Sequence, residues 1–151
     1  MPNILVHIPQ GSFPGDARAA LVRRINDAAA KAEQIPPDPR KRALCWVLIE
    51  EVGAGAWTCG GVDMTVQMLP CVARVYLPAG VLDDGSRAEY VQAMHEAFTQ
   101  SLPADDKRPL ATSIVLHEVS DGNWGANGAI WRLPQFAKAA GFAHLQHLVA
   151  A

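Results

Sequence analysis

The first apolar pattern of the chain has the two-residue period of a β-strand. The stretch NILVHIP near the N-terminus places apolar side chains at Ile4, Val6 and Ile8, and a Pro-x-Gly segment then ends the alternation. Over residues 21–28 the apolar positions recur instead at intervals of three and four, which is typical of an amphipathic helix. The pattern therefore predicts a strand followed by a helix.

The same pattern occurs a second time. Residues 6–11 (VHIPQG) match residues 75–80 (VYLPAG), and the similarity continues through the helical segment that follows each. Further along, residues 49–61 (IEEVGAGAWTCGG) match residues 116–128 (LHEVSDGNWGANG). Each copy thus ends in a glycine-rich turn that carries one tryptophan. The chain is an internal duplication of a strand–helix–strand unit.

A strand–helix–strand unit joins two parallel strands by a right-handed crossover. Two units side by side place both helices on one face of a four-stranded sheet. We therefore predict an α+β fold, a tandem β-α-β repeat with a four-stranded mixed sheet and two helices on one face. We expect a single domain over residues 1–151, with halves at 2–61 and 70–128, a linker at 62–69 and a C-terminal tail at 129–151.

The other face of this predicted sheet has no helix to cover it. Leu5, Val72 and Tyr76 belong to the strand positions on that face. A large exposed apolar patch is uncommon on a soluble monomer. We therefore expect the chain to associate with copies of itself.

Composition narrows the range of partners and compartments. The net charge of −2 argues against a nucleic-acid partner, and three cysteines without CxxC spacing favour a reducing compartment. No apolar segment approaches the roughly 18 residues that span a membrane. His144 and His147 have no third ligand close by, and no phosphate-binding glycine loop is present. We expect a cytoplasmic protein without metal or cofactor.

A proline follows the initiator methionine, and two explanations are open. Proline lacks an amide donor, so the edge of a sheet tolerates it. Alternatively, removal of Met1 leaves Pro2 as a free secondary amine that acts as a base or a nucleophile. The second copy offers no equivalent amine, because Cys71 lies opposite Pro2 and the neighbouring Pro70 is within the chain.

A known family shares these features. The chain resembles the tautomerase superfamily in its Met-Pro start, its first strand ending in Pro-x-Gly and its E-x₅-W-x₃-G turn. The pattern is nearest to the 4-oxalocrotonate tautomerase group, in a form with two βαβ units fused in one chain, and covers most of residues 2–128. The resemblance implies a fold like that of macrophage migration inhibitory factor, a homotrimer, and a catalytic Pro2 whose amine moves a proton between carbons.

Four residues are candidates to bind the small-molecule substrate. The aromatic residue of the family's turn is retained as Trp57 and Trp124. Asn127 is a candidate donor to a substrate carbonyl, although an asparagine beside a glycine is ordinarily part of a turn. Arg74, a charge on a predicted strand, is either a cation for the substrate or one member of an ion pair at the trimer axis.

The chain departs from the family where the family binds carboxylates. The two arginine positions are occupied by Ser12 and Trp46 in the first copy, and by Val81 and Ser113 in the second. A dicarboxylate substrate is therefore not expected, whereas an aromatic or weakly charged one is.

Three functions remain open at this point. The first is a cofactor-independent tautomerase in which Pro2 is the general base and a small keto–enol substrate lies against Trp57 or Trp124. The second is a decarboxylase or a dehalogenase/hydratase of the same superfamily. The third is a non-catalytic binding or structural trimer, which the missing arginines and a retained Met1 would favour.

Overall fold

The main sheet of the protein has four strands. The computed structural model describes residues 1–149, and these strands are β1 (Asn3–Pro9), β2 (Trp46–Val52), β3 (Leu69–Pro78) and β4 (Leu110–Val119). Their order across the sheet is β2-β1-β3-β4. The pairs β1–β2 and β3–β4 are parallel and β1–β3 is antiparallel. The predicted mixed sheet is confirmed.

Helices make the connections within each half. Helix α1 (Asp16–Ala32) and the short α2 (Pro39–Arg42) lie between β1 and β2, and α3 (Asp84–Ser101) lies between β3 and β4. After β4 the chain forms a small hairpin of β5 (Trp124–Ala126) and β6 (Ala129–Trp131). It continues into α4 (Leu133–Ala140) and a 3₁₀ helix (Ala143–Leu148).

The core lies between the sheet and the two long helices. One face of the sheet and the inner faces of α1 and α3 supply fully buried side chains, because apolar residues alternate along the strands and recur at helical spacing along the helices. These include Ile4, Val6, Ile8, Ala73, Val75, Leu21, Ile25, Tyr90 and Met94. The predicted pair of helices on one face is confirmed.

The two halves differ in their closing turns. Residues 124–131 form the β5–β6 hairpin, whereas the corresponding turn of the first half has a single bridge between Cys59 and Val62. Strand β6 lies in the segment expected to be tail. The first turn is held by Asp63, which accepts hydrogen bonds from the N–H of Gly55 and from Thr65. These hydrogen bonds keep the pKa of Asp63 below its ordinary value.

The edge-strand explanation for Pro2 is wrong. Strand β1 pairs with β2 on one side and β3 on the other, so Pro2 precedes an interior strand. Its carbonyl accepts a hydrogen bond from the N–H of Trp46 at 3.0 Å. Pro2 is itself buried. Its place at the start of the chain therefore needs another explanation than tolerance at an edge.

The helix-free face of the sheet carries the residues expected there. Strand pairing sets Leu48, Leu5, Arg74 and Val115 in one row across all four strands. Leu48 and Val115 are each 46% exposed in the single chain. In the described chain, residues 1–149, Arg74 makes no ion pair. We call the helix-free face of the sheet, which includes this row, the open face.

Burial gives a prediction for the cysteines. Cys45 and Cys71 are buried, which raises the pKa of each thiol to about 12, whereas Cys59 is half-buried in the first turn. Because the thiolate is the reactive form, we expect native protein at pH 8 to react with Ellman's reagent at one thiol per chain, and unfolded protein at all three. Cys59→Ser should abolish the native reaction, and a second fast thiol in that variant would contradict the assigned burial.

Candidate active site

A cavity of about 230 Å³ lies at the N-terminus, and we call it the N-terminal cavity. Its walls come from the start of β1, the start of β2 and the β5–β6 hairpin. None of the described residues that line it has a charged side chain. They are Met1, Asn3, Leu44, Trp46, Trp124, Gly125, Ala126, Asn127 and Trp131.

The hairpin is shaped by the turn between its strands. Asn127 and Gly128 have φ angles of 51° and 80°, and both angles lie in the left-handed region. A two-residue turn with positive φ at both positions matches the twist of the flanking strands, which is why Asn-Gly is favoured there. Asn127 therefore has a turn role, and the same turn brings it to the cavity wall.

Phe136 of α4 packs against both tryptophans of the hairpin. Trp124 and Trp131 are cross-strand partners, and each meets the Phe136 ring edge-on, at centroid distances of 5.3 and 5.4 Å. Phe136 is only 1% exposed. The aromatic wall of the cavity is thus tied to the hydrophobic core.

A polar contact fixes where the hairpin joins α4. The carboxylate of Asp121 accepts hydrogen bonds from the Arg132 guanidinium at 2.8 Å and from the N–H of Leu133 at 2.9 Å. These hydrogen bonds, the one from Arg132 first, hold the pKa of Asp121 below its ordinary value. Asp121 thus stays charged at neutral pH and closes the hairpin against the helix.

The chain terminus lies at the buried end of this cavity. Met1 is 8% exposed, and its ammonium group lies 3.1 Å from a carboxylate oxygen of Glu33. Glu33 is fully buried and also accepts a hydrogen bond from the Tyr90 hydroxyl at 2.9 Å. Pro2, the predicted catalytic residue, follows directly, and its nitrogen is free only when Met1 is absent.

The structure separates the predicted site residues into two groups. Trp124 and Asn127 line the N-terminal cavity beside Met1. Trp57 and Arg74 line a second cavity of about 310 Å³, together with His7 from β1. This second cavity lies toward the opposite end of β1, so Arg74 and Trp57 do not face the terminus of the same chain.

Three residues of the site were not expected from the sequence. In the sequence, Trp46 is distinguished only by occupying the position of a family arginine. In the structure it forms part of the cavity wall. Trp131 follows the Asn-Gly turn. An Asn-Gly turn favours a hairpin, and a hairpin at this position pairs Trp131 with Trp124. Glu33 gave no signal, since a glutamate after a helix is ordinarily solvated.

Within residues 1–149, no helix is long and apolar enough to cross a membrane. The same residues include no group of three or more His, Cys, Asp and Glu side chains arranged to hold a metal ion.

Comparison with known proteins identifies the fold. No protein-family model matches the chain, and no curated protein matches it significantly. Among solved structures, the wild-type Q0 fused 4-OT symmetric trimer aligns with a TM-score of 0.66 at 27% identity, over 91% of this chain and 98% of that one. Pt0534 inactivated by 2-oxo-3-pentynoate aligns at 0.67 with 16% identity, over 85% and 94%.

A third structure represents another branch. N1, a member of the cis-3-chloroacrylic acid dehalogenase family, aligns with a TM-score of 0.68 and 14% identity, over 99% of both chains. The fold is therefore that of the tautomerase superfamily, and the resemblance seen in the sequence is confirmed. Within the superfamily, the chain is similar to the fused 4-OT structures over most of its length.

Proposed function

We propose that the protein is a cofactor-independent tautomerase that uses the amine of Pro2, after removal of Met1, as its general base. One observation carries this proposal: the terminus lies buried at the end of a cavity walled by three tryptophans. A base held in such a cavity removes a proton next to a carbonyl and returns it to another atom of the same substrate. The likeness to superfamily enzymes supports the proposal.

The walls of the cavity suit this role. Trp46, Trp124 and Trp131 give the cavity an apolar, aromatic wall against which the ring of a substrate can pack. Asn127 lines the same cavity, and we propose that its amide donates a hydrogen bond to a substrate carbonyl. The base thus comes from the chain terminus, and the apolar wall and the donor come from the start of β2 and the β5–β6 hairpin.

The same walls define the substrate class. The described lining has no cation for a second carboxylate, and the cavity volume suits a small molecule. We therefore propose an aryl 2-keto acid, whose ring stacks on tryptophan, rather than a dicarboxylate. Arg74, in the second cavity, is not proposed to contact a substrate bound at the same chain's terminus.

The test is ketonisation of enol phenylpyruvate by protein whose intact mass shows loss of Met1. Pro2→Ala should reduce kcat/KM by about 10²- to 10⁴-fold, the usual contribution of a positioned acid or base. 2-Oxo-3-pentynoate, which inactivates Pt0534, is a suitable covalent probe. We expect it to label Pro2 in the parent protein and to react more slowly with the Pro2→Ala variant.

The internal duplication supplies a matched control. Trp124 and Trp57 occupy corresponding turns, but only Trp124 lines the N-terminal cavity. Trp124→Ala should lower kcat/KM for phenylpyruvate by up to about tenfold, as expected for a lost aromatic contact worth as much as roughly 1.5 kcal/mol. Trp57→Ala should leave it within about twofold. Full activity of Pro2→Ala, or equal losses in the two tryptophan variants, would refute the proposed site.

A second candidate is hydration-type chemistry, as in a dehalogenase, or decarboxylation. It is favoured by the likeness to N1, a member of the cis-3-chloroacrylic acid dehalogenase family, over 99% of both chains. Chloride release from 3-chloroacrylate, or carbon dioxide release from malonate semialdehyde, would promote it if phenylpyruvate is not turned over.

We also propose that the protein is a homotrimer. The open face of the sheet exposes Leu48 and Val115, and the similar Q0 fused 4-OT structure is a symmetric trimer. A closed ring buries equivalent apolar faces without forming filaments.

A further inference from the structure

Glu33 is a buried carboxylate with an unusual cation partner. It directly follows α1 and is 0% exposed. One of its oxygens lies 3.1 Å from the terminal ammonium, and the other accepts the Tyr90 hydroxyl at 2.9 Å. Within residues 1–149, no lysine, arginine or histidine forms an ion pair with it. The chain's own terminus is therefore the cation of this buried pair.

The titratable groups around Glu33 stay neutral or pair elsewhere, so the charges of this cluster are the Glu33 carboxylate and the terminal ammonium. Tyr90, from α3, has a pKa well above its ordinary value because it is buried and faces the Glu33 charge, so its hydroxyl remains a donor. The Cys45 thiol before β2 has a pKa of about 12, first because it is buried and then because of Glu33, so it remains neutral. Arg42 forms an ion pair with Asp27.

Burying a carboxylate without a cation is expensive, and removing one partner of a buried pair leaves the other uncompensated. The terminal nitrogen is therefore retained at this position by electrostatics as well as by packing. When Met1 is removed, the terminal cation becomes the nitrogen of Pro2, one residue along the chain from the ammonium that contacts Glu33 here.

We propose that Glu33, oriented by Tyr90, is a positioning residue that holds the terminal nitrogen at the buried end of the N-terminal cavity and favours its protonated form. This inference rests on the proposed function for its catalytic meaning. A carboxylate at 3.1 Å stabilises the ammonium form of the terminal nitrogen, so Glu33 influences the pH above which the amine is free to accept a proton.

The test titrates the nitrogen directly, without a substrate. Protein labelled with ¹⁵N-proline, with its terminus verified by mass, is followed by NMR across the pH range; for chains that keep Met1, the label is ¹⁵N-methionine. In Glu33→Gln, which keeps the size of the side chain, we expect the titration midpoint of the terminal nitrogen to fall by at least about one pH unit. The acid limb of the pH–rate profile should move by the same amount.

Glu118→Gln is the matched control, because Glu118 pairs with Arg87 in the other half. Its terminal midpoint should equal that of the parent protein. A second measurement needs no variant: the ¹³C carboxylate signal of Glu33 in the parent protein should shift with the same midpoint as the terminal nitrogen. An unchanged midpoint in folded Glu33→Gln, or a Glu33 signal that ignores the terminal titration, would overturn the inference.

The outcomes separate this inference from the proposed function. A lowered midpoint in a protein that turns over no keto–enol substrate refutes the tautomerase and supports the role of Glu33. An active tautomerase with an unchanged midpoint does the reverse.

Discussion

Phe136→Ala is expected to destabilise the protein by about 3–5 kcal/mol, the usual cost of truncating a buried phenylalanine. For a chain of this length, that corresponds to a fall in Tm of roughly 6–20 °C. The substitution also removes the ring on which Trp124 and Trp131 rest edge-on. The N-terminal cavity should therefore lose its aromatic wall, and kcat/KM for phenylpyruvate should fall even well below the Tm.

Phe98→Ala is the matched control for this experiment. Phe98 is fully buried and meets Phe13 edge-on at 6.2 Å, but it does not line the N-terminal cavity. We expect a similar loss of Tm by calorimetry, with kcat/KM preserved at low temperature. If both variants lost activity in proportion to their stability, the specific role of Phe136 in supporting the cavity would be refuted.

Leu48→Asp is expected to dissociate the proposed trimer. Leu48 lies on the open face and is 46% exposed in the single chain, so a charge there costs little to folding. In a ring that covers the face, the same carboxylate is buried without a partner in every copy, at several kcal/mol each. Light scattering should show a mass near the 16.2 kDa of one chain in place of about three times that value.

Val66→Asp makes a comparable change away from the sheet. Val66 is 83% exposed in the segment between the halves, and the variant should keep the parent mass. A parent protein that is itself a monomer would reject the ring. A parent dimer would reject the trimer and leave the open face as the interface.

The sheet and its helices could be predicted because their signals are local and occur twice. The alternation at Ile4, Val6 and Ile8, and the helical spacing after it, each specify an element, and the duplication specifies how the two units combine. The β5–β6 hairpin was not predicted, because its strands are only three residues long. The sequence indicated a turn at Asn127 but not the two strands that flank it.

The site was harder to predict because it depends on which ends of the strands meet. Trp57 and Trp124 occupy equivalent turns, but β1 and β3 are antiparallel, so the two turns lie at opposite ends of the sheet. A sequence comparison aligns them without separating them. The role of Glu33 is not predictable from the sequence for a related reason: its partners, Met1 and Tyr90, are 32 and 57 positions away in the chain.

The fusion of the two units has a consequence for stoichiometry. At the start of β3, Pro70 and Cys71 occupy the places of Met1 and Pro2, but their nitrogens are locked in peptide bonds. Once Met1 is removed, as proposed, a reagent that traps secondary amines should saturate at one equivalent per chain, or one for every two βαβ units. The cavity beside Trp57 therefore has no backbone amine of its own to serve as a base.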